Sequence, residues 1–142
     1  RLGFQPSRGE ELQTEYLLPM TRAAEALAAL RRLSSRLAPF LLVAEIRAVA
    51  ADDLWLSGAY GADTLALHFT WRLDADGVHD VLPAMEDLLL PLGARPHWGK
   101  LFAAGPDDLA SLYPRWEDFR SLRARFDPEL KFGNAWLERY LG

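Results

Sequence analysis

Glu45 and Arg47 stand two residues apart in one apolar run, Leu41 to Val49, and His68 and Thr70 stand two apart in another, Thr64 to Trp71. In an extended chain, side chains two apart point the same way. If both runs are strands, one face of the first carries Val43, Glu45, Arg47 and Val49, and one face of the second carries Thr64, Ala66, His68 and Thr70. The opposite faces are apolar: Leu42, Ala44, Ile46 and Ala48 on the first, Leu65, Leu67, Phe69 and Trp71 on the second. Those apolar faces are expected to lie buried under helices. The polar faces together offer a carboxylate, a guanidinium, an imidazole and a hydroxyl, a set able to hydrogen-bond a polar ligand. They equally describe a solvated sheet face with one ion pair across it, because antiparallel sheets often face water on one side. Periodicity by itself does not choose between the two.

A second dense stretch is Arg95-Pro96-His97-Trp98-Gly99-Lys100. Gly99 permits close backbone approach, and Lys100 is one of only two lysines, the other being Lys131. A strand end with a stacked Trp and a solvated Lys would read the same way. Other chemistries find no support. The spacing of His68, His79 and His97 matches no metal-ligand motif, so no metal is expected. The chain has no cysteine and no G-x-S-x-G elbow. The paired acids Asp52-Asp53, Glu86-Asp87 and Asp107-Asp108 read as turn, helix-start or solvent-facing residues. Trp116, Phe119, Phe126 and Trp136 read as core, with part of that surface available to a further domain.

These residues need a frame. Gln13 to Leu18 has strand character and ends at Pro19. Thr21 is the expected N-cap of a helix carrying Leu27, Leu30, Leu33 and Leu37. The strand Leu41–Val49 follows, then a short strand at Leu54–Leu56, a turn at Ser57-Gly58 and the strand Thr64–Trp71. Val78, Val81, Leu82, Met85, Leu88 and Leu89 mark a second amphipathic helix after Asp76. Arg95 to Trp98 reads as a last short strand, and Pro106–Leu112, Trp116–Phe126 and Ala135–Leu141 as helices. This order predicts an α+β fold: a ferredoxin-like split βαβ sandwich, with an antiparallel sheet, helices on one face and helical additions at the C-terminus. Residues 1–12 read as a linker or severed connection and 13–142 as one domain.

At 142 residues, half of them hydrophobic and a quarter charged, the chain can bury a core. A net charge of -4 argues against nucleic acid as a partner. The longest apolar stretches, such as Leu88 to Leu92, are too short to span a bilayer, and the lack of cysteine fits a cytoplasmic protein. The opening Arg1-Leu2-Gly3-Phe4 has neither an initiator Met nor a signal-peptide pattern, which suggests an internal fragment.

Taken in order, Glu45-Ile46-Arg47, Asp52-Asp53-Leu54-Trp55-Leu56-Ser57 and His97-Trp98-Gly99-Lys100 resemble the C-terminal domain of the aldonolactone oxidase and alditol oxidase family. These are FAD-linked oxidases of the vanillyl-alcohol-oxidase type. Glu11 to Tyr16, Asp127-Pro128 and Phe132-Gly133-Asn134 also fit, and the resemblance runs over nearly the whole chain. Within the family it is strongest to the bacterial alditol (xylitol) oxidases. The resemblance implies that Glu45, Arg47, Thr70 and Lys100 bind the hydroxyls of a small polyol, and that Arg47 or Lys100 stabilises charge on the reacting oxygen. His68 and His97 are possible pocket-lining residues. The resemblance further implies hydride transfer from a terminal carbinol carbon to N5 of FAD, with O2 reduced to hydrogen peroxide. The family holds FAD on a separate N-terminal domain with a Gly-rich phosphate loop, for which this chain has no candidate segment. The isolated chain is therefore expected to be inactive. An aldonolactone substrate, or a non-catalytic ferredoxin-like ligand-binding module, remains an alternative.

Overall fold

The strand-forming runs are rich in β-branched, aromatic and leucine residues, and three of them are nine residues long: β1 (Glu11–Pro19), β2 (Leu41–Val49) and β3 (Thr64–Arg72). A two-residue strand, β4 (Arg95–Pro96), completes a sheet of order β2-β3-β1-β4 in which every pairing is antiparallel. The computed structural model describes residues 9–142, so most of the expected N-terminal linker lies outside the described residues. β1 begins at Glu11, two residues earlier than its alternation suggests. The helices α1 (Ala23–Arg32), α2 (Ser34–Leu37) and α3 (Ala75–Leu89) connect the strands, and α4 (Pro106–Leu112), α5 (Trp116–Phe126) and α6 (Ala135–Leu141) follow the sheet. The fold is thus α+β, with the strand order of the split βαβ arrangement. Among the described residues, no helix is long and apolar enough to cross a membrane.

One core lies between the sheet and α1 and α3. Tyr16 and Leu18 of β1 join Leu65, Leu67, Phe69 and Trp71 of β3 against Val78, Val81, Leu82, Met85 and Leu89 of α3. Buried polar groups on this side are paired, as burial requires: the Trp71 indole donates to Thr14 Oγ1 at 3.1 Å. A second core gathers Leu109, Tyr113, Trp116, Tyr140 and Leu141 of the C-terminal helices. Trp98, from the turn after β4, packs against this second core. Its ring stacks on Tyr113 at 5.2 Å and meets Trp136 edge-on at 5.7 Å, while its indole donates to the Leu56 carbonyl at 2.9 Å.

Several local expectations are corrected. Leu54–Leu56 is not a strand. Asp52 accepts from the Leu54 amide and the Ser57 hydroxyl and so folds residues 51–63 into turns, with a single bridge between Asp52 and Tyr60. Such Asx turns compete directly with strand pairing. Thr21 does not cap α1. It lies in a 3-10 turn, Met20–Arg22, that runs straight into the helix with no side-chain cap. The leucine series from Leu27 to Leu37 is split at Leu33 into α1 and α2. α3 begins at Ala75, before Asp76 rather than after it, and its cap is Asp74, whose carboxylate accepts from the Gly77 amide at 3.0 Å. Pairing at the last strand stops at Pro96, two residues short of Trp98.

The face assignment of β2 holds from Val43 onward: Ile46 pairs with Leu67 and Ala44 with Phe69. It fails at Leu42, where a bulge between Leu41 and Val43 sets Leu41 rather than Leu42 opposite Trp71. Its burial does not hold. Leu42 is 47% exposed and Ile46 58%. β2 is an edge strand, and of its residues Leu41 is the one that packs against the helix-side core. Phe126, read as core, is 72% exposed, and Trp136 is partly exposed. Glu86, read as turn, helix-start or solvent-facing, is buried near the end of α3.

Candidate functional site

The open face of the sheet is built by register. Glu15 of β1 pairs with His68 of β3, and His68 pairs with Glu45 of β2, so these three side chains form one row. Gln13, Thr70 and Val43 form the neighbouring row, and Leu17, Ala66 and Arg47 the row beyond. Lys100 reaches this face from the turn after β4. That turn is tied to β1 at both ends: the His97 amide donates to the Glu15 carbonyl at 2.9 Å and the Leu101 amide to the Gln13 carbonyl at 3.0 Å.

The result is a polar cluster around the Glu15 carboxylate. Arg47 Nη1 donates to Glu15 Oε1 at 3.4 Å, and the Lys100 ammonium makes an ion pair with Glu15 Oε2. The second Arg47 nitrogen, Nη2, pairs with Glu45. Lys100 Nζ lies 2.9 Å from His68 Nδ1, which is also 3.3 Å from Glu15 Oε2, and His68 Nε2 lies 3.3 Å from Thr70 Oγ1. The lysine makes the shorter of the two Nδ1 contacts, and a protonated lysine only donates. This favours the tautomer in which Nδ1 accepts and the ring proton sits on Nε2, facing Thr70. The threonine oxygen then accepts from His68, and its own hydrogen is free to donate outward.

The electrostatics agree with this assignment. Burial and the neighbouring Lys100 charge both push the His68 pKa below its ordinary value, which keeps the ring neutral, and the Arg47 charge adds to the effect. The partial opposition comes from Glu15. For Glu15, burial would raise the pKa, but the Lys100 hydrogen bond and charge lead the opposing causes, and the net shift is downward, which holds the carboxylate ionised. Glu15 and Lys100 are mostly buried, whereas Arg47 and Glu45 are about half exposed. The site is thus a well-packed base with an accessible rim.

All of Glu45, Arg47, His68, Thr70 and Lys100 come together on this face. His97 does not join them. It is exposed, and its Nδ1 accepts from the Gly99 amide at 3.0 Å, closing the turn that presents Lys100. Sequence reasoning missed Glu15, the hub. The signal was available, since carrying the alternation back to the first strand puts Gln13, Glu15 and Leu17 on the polar side. Arg95 was missed as well. Its guanidinium donates to the carbonyls of Leu112 at 2.9 Å and Tyr60 at 3.0 Å, fastening the 51–63 turns to α4. Beside Lys100, an open groove of about 860 Å³ runs between Gln13 of β1 and the Trp98 and Trp136 rings.

Fold and site together define a two-layer α+β domain with one free sheet face furnished with hydrogen-bonding and charged groups. The chain belongs to the D-arabinono-1,4-lactone oxidase family, whose model matches residues 7–140. It is 45% identical over 141 residues to an alditol oxidase of Streptomyces sp. (strain IKD472 / FERM P-14339), covering 99% of this chain and 34% of that protein. It is 34% identical over 133 residues to an L-gulono-1,4-lactone dehydrogenase of Mycobacterium tuberculosis (strain CDC 1551 / Oshkosh), covering 92% of this chain and 30% of that protein. An L-gulonolactone oxidase of Bos taurus is 29% identical over 99 residues, covering 67% of this chain and 22% of that protein. The chain therefore spans about a third or less of the length of these relatives.

Proposed function

We propose that this chain forms the substrate-binding surface of a flavin-dependent oxidase that acts on the terminal hydroxyl of a sugar alcohol such as xylitol or sorbitol. The observation that carries the reading is the convergence of Glu45, Arg47, Thr70 and Lys100, with His68, around Glu15 on an open sheet face. A polyol presents many hydroxyls and little apolar surface, so its site needs donors and acceptors in fixed places, because buried polar groups left unpaired are costly. Glu45, half exposed at the rim, accepts from substrate hydroxyls. Thr70 donates its free hydrogen. Arg47 retains N–H groups beyond the two used on Glu15 and Glu45. Lys100 spends two hydrogens on Glu15 and His68, and its third is available to a substrate oxygen. As that oxygen loses its proton it gains negative charge, and a preorganised cation beside it stabilises the transition state.

The chemistry a flavin supplies to such a reaction is acceptance of a hydride from the carbinol carbon and two-electron reduction of O2 to hydrogen peroxide. The residues present fit the alcohol rather than the dinucleotide. No Gly-rich phosphate loop opens a helix in this sequence, and the α3 N-terminus is occupied by the Asp74 carboxylate, which would repel a phosphate. FAD is therefore assigned to a separate domain of a longer protein.

The identity to the alditol oxidase supports the polyol reading. An aldonolactone is the second reading, supported by the family model and the Mycobacterium relative. The test is peroxide release by the full-length, flavin-bearing protein, with xylitol, sorbitol and an aldonolactone offered in parallel. Peroxide from the sugar alcohols is the expected result. Turnover of the lactone alone moves the substrate class to the second reading. No peroxide from any of them removes the oxidase reading.

A further inference from the structure

Glu86 is a carboxylate with no role in the open face, yet it is 3% exposed within the core. Its Oε1 accepts from the Tyr16 hydroxyl at 2.7 Å and from the Ala103 amide at 2.8 Å. These two partners flank the site from below. Tyr16 is the neighbour of Glu15 on β1 and points to the opposite side of the sheet, as alternation requires. Ala103 lies three residues after Lys100, on the segment that leaves the turn.

That segment has little regular pairing. After the Leu101 amide bonds to Gln13, the next tie is the one from Ala103 to Glu86. The turn bearing Lys100 is thus held at His97 and Leu101 by the β1 backbone, and at Ala103 by Glu86. Burial raises the Glu86 pKa, while the Ala103 amide, the Tyr16 hydroxyl and the Ala104 amide oppose the rise. A buried carboxylate is an expensive anchor, and a hydrophobic residue would fill the core without that cost.

We propose that Glu86 is a positioning residue: acting through Tyr16 and the 101–105 segment, it sets the place of the Lys100 ammonium beside Glu15 and His68. This deepens the oxidase reading and rests on it for its catalytic meaning, but the placement itself is measurable without turnover.

The test uses the full-length protein with Glu86→Leu, Glu86→Asp and Glu86→Gln. The readouts are the His68 titration by histidine-selective NMR, assigned with His68→Gln, and the steady-state parameters. Glu86→Leu leaves the Ala103 amide without its acceptor. Lys100 then moves off His68, the His68 pKa rises toward 6.5, and kcat falls at least tenfold with a smaller change in KM. Glu86→Gln keeps an oxygen for Tyr16 and Ala103, and holds both readouts within about twofold of the parent. If Glu86→Leu does not fold, Glu86→Asp, which draws the oxygens back by one methylene, carries the test and shifts His68 in the same direction. A folded Glu86→Leu or Glu86→Asp protein whose His68 titration is unmoved overturns the proposal, whatever its activity. A His68 shift in a protein that releases no peroxide upholds the positioning and discards the oxidase reading alone.

Discussion

A lysine ammonium has three hydrogens, and in this site two are committed, one to Glu15 and one to His68. The third defines what Lys100 can do for a substrate. Glu15 is 8% exposed, and Arg47 and Lys100 each pair with one of its oxygens; it holds side by side two cations that would otherwise repel. Replacing Lys100 by Met keeps the length and removes the charge. In the full-length protein this is expected to lower kcat about 10²–10³-fold, the usual loss for one preorganised donor at a developing oxyanion. Turnover within threefold of the parent would remove Lys100 from that role. At this scale the sequence was partly legible. Alternation found Glu45, Arg47, His68 and Thr70, whereas it was the resemblance that marked Lys100 for the same site. Only the pairing of β1 with β3 showed that Glu15 lies among them.

The elements that carry these residues depend on local devices, some legible and some not. The C-terminal helices lie where their apolar spacing puts them, and α3 follows its apolar stripe. Caps were harder to read, because a candidate such as Thr21 or Asp74 acts only if the backbone geometry places it at the helix start. Asp74→Ala is therefore expected to cost about 1 kcal/mol of stability in thermal or urea unfolding. Thr21→Ala, by contrast, is expected to stay within about 0.5 kcal/mol of the parent. A glycine in the first turn of α3 has its own reason. A Cβ at Gly77 would lie 2.2 Å from Phe40 Cε1, so the Phe40 ring packs where a side chain would be. Gly77→Ala should destabilise by about 1–3 kcal/mol through overpacking, against the gain of up to ~1 kcal/mol that helix propensity alone would predict. A stabilised variant would show that the ring moves aside freely.

For the whole molecule, charge and burial combine in the pH dependence of folding. His68 is neutral in the fold with its pKa lowered below 6.5, so its contribution to stability is present above 6.5 and is lost as pH falls toward the folded value. Glu15, lowered from 4.5, acts in the same direction further down: its contribution is present above 4.5 and lost as pH falls through its folded value. Glu86 acts oppositely, since its pKa is raised and its contribution fades as pH rises through the folded value. The stability difference between the parent chain and His68→Gln is expected to shrink as pH is lowered from 7 to 5. A difference that stays constant, measured by urea unfolding across that range, would mean that the ring is not held neutral. Coverage is the other property of this scale. The helix-side core is built on β1 and β3 while most of β2 stays exposed, and Phe126 and Phe132 stand 72% and 82% exposed on the C-terminal helical region.

The sequence by itself determined the α+β class, the helix and strand types of the long periodic segments, and the side of each strand its side chains take, except at Leu42, where a bulge in β2 shifts the alternation. Those properties follow from local periodicity, which a single chain carries in full. Tertiary structure decided what periodicity cannot reach. Turn geometry at Asp52 overrode strand character at Leu54–Leu56. Edge position left Ile46 in solvent although it lies on the apolar side. Sheet register gathered residues from β1, β2, β3 and the 97–101 turn around one carboxylate, and core packing enclosed an acid at position 86 that looks, in sequence, like any surface glutamate. Each of these depends on contacts between residues distant in the chain, and burial and pairing exist only once those contacts have formed.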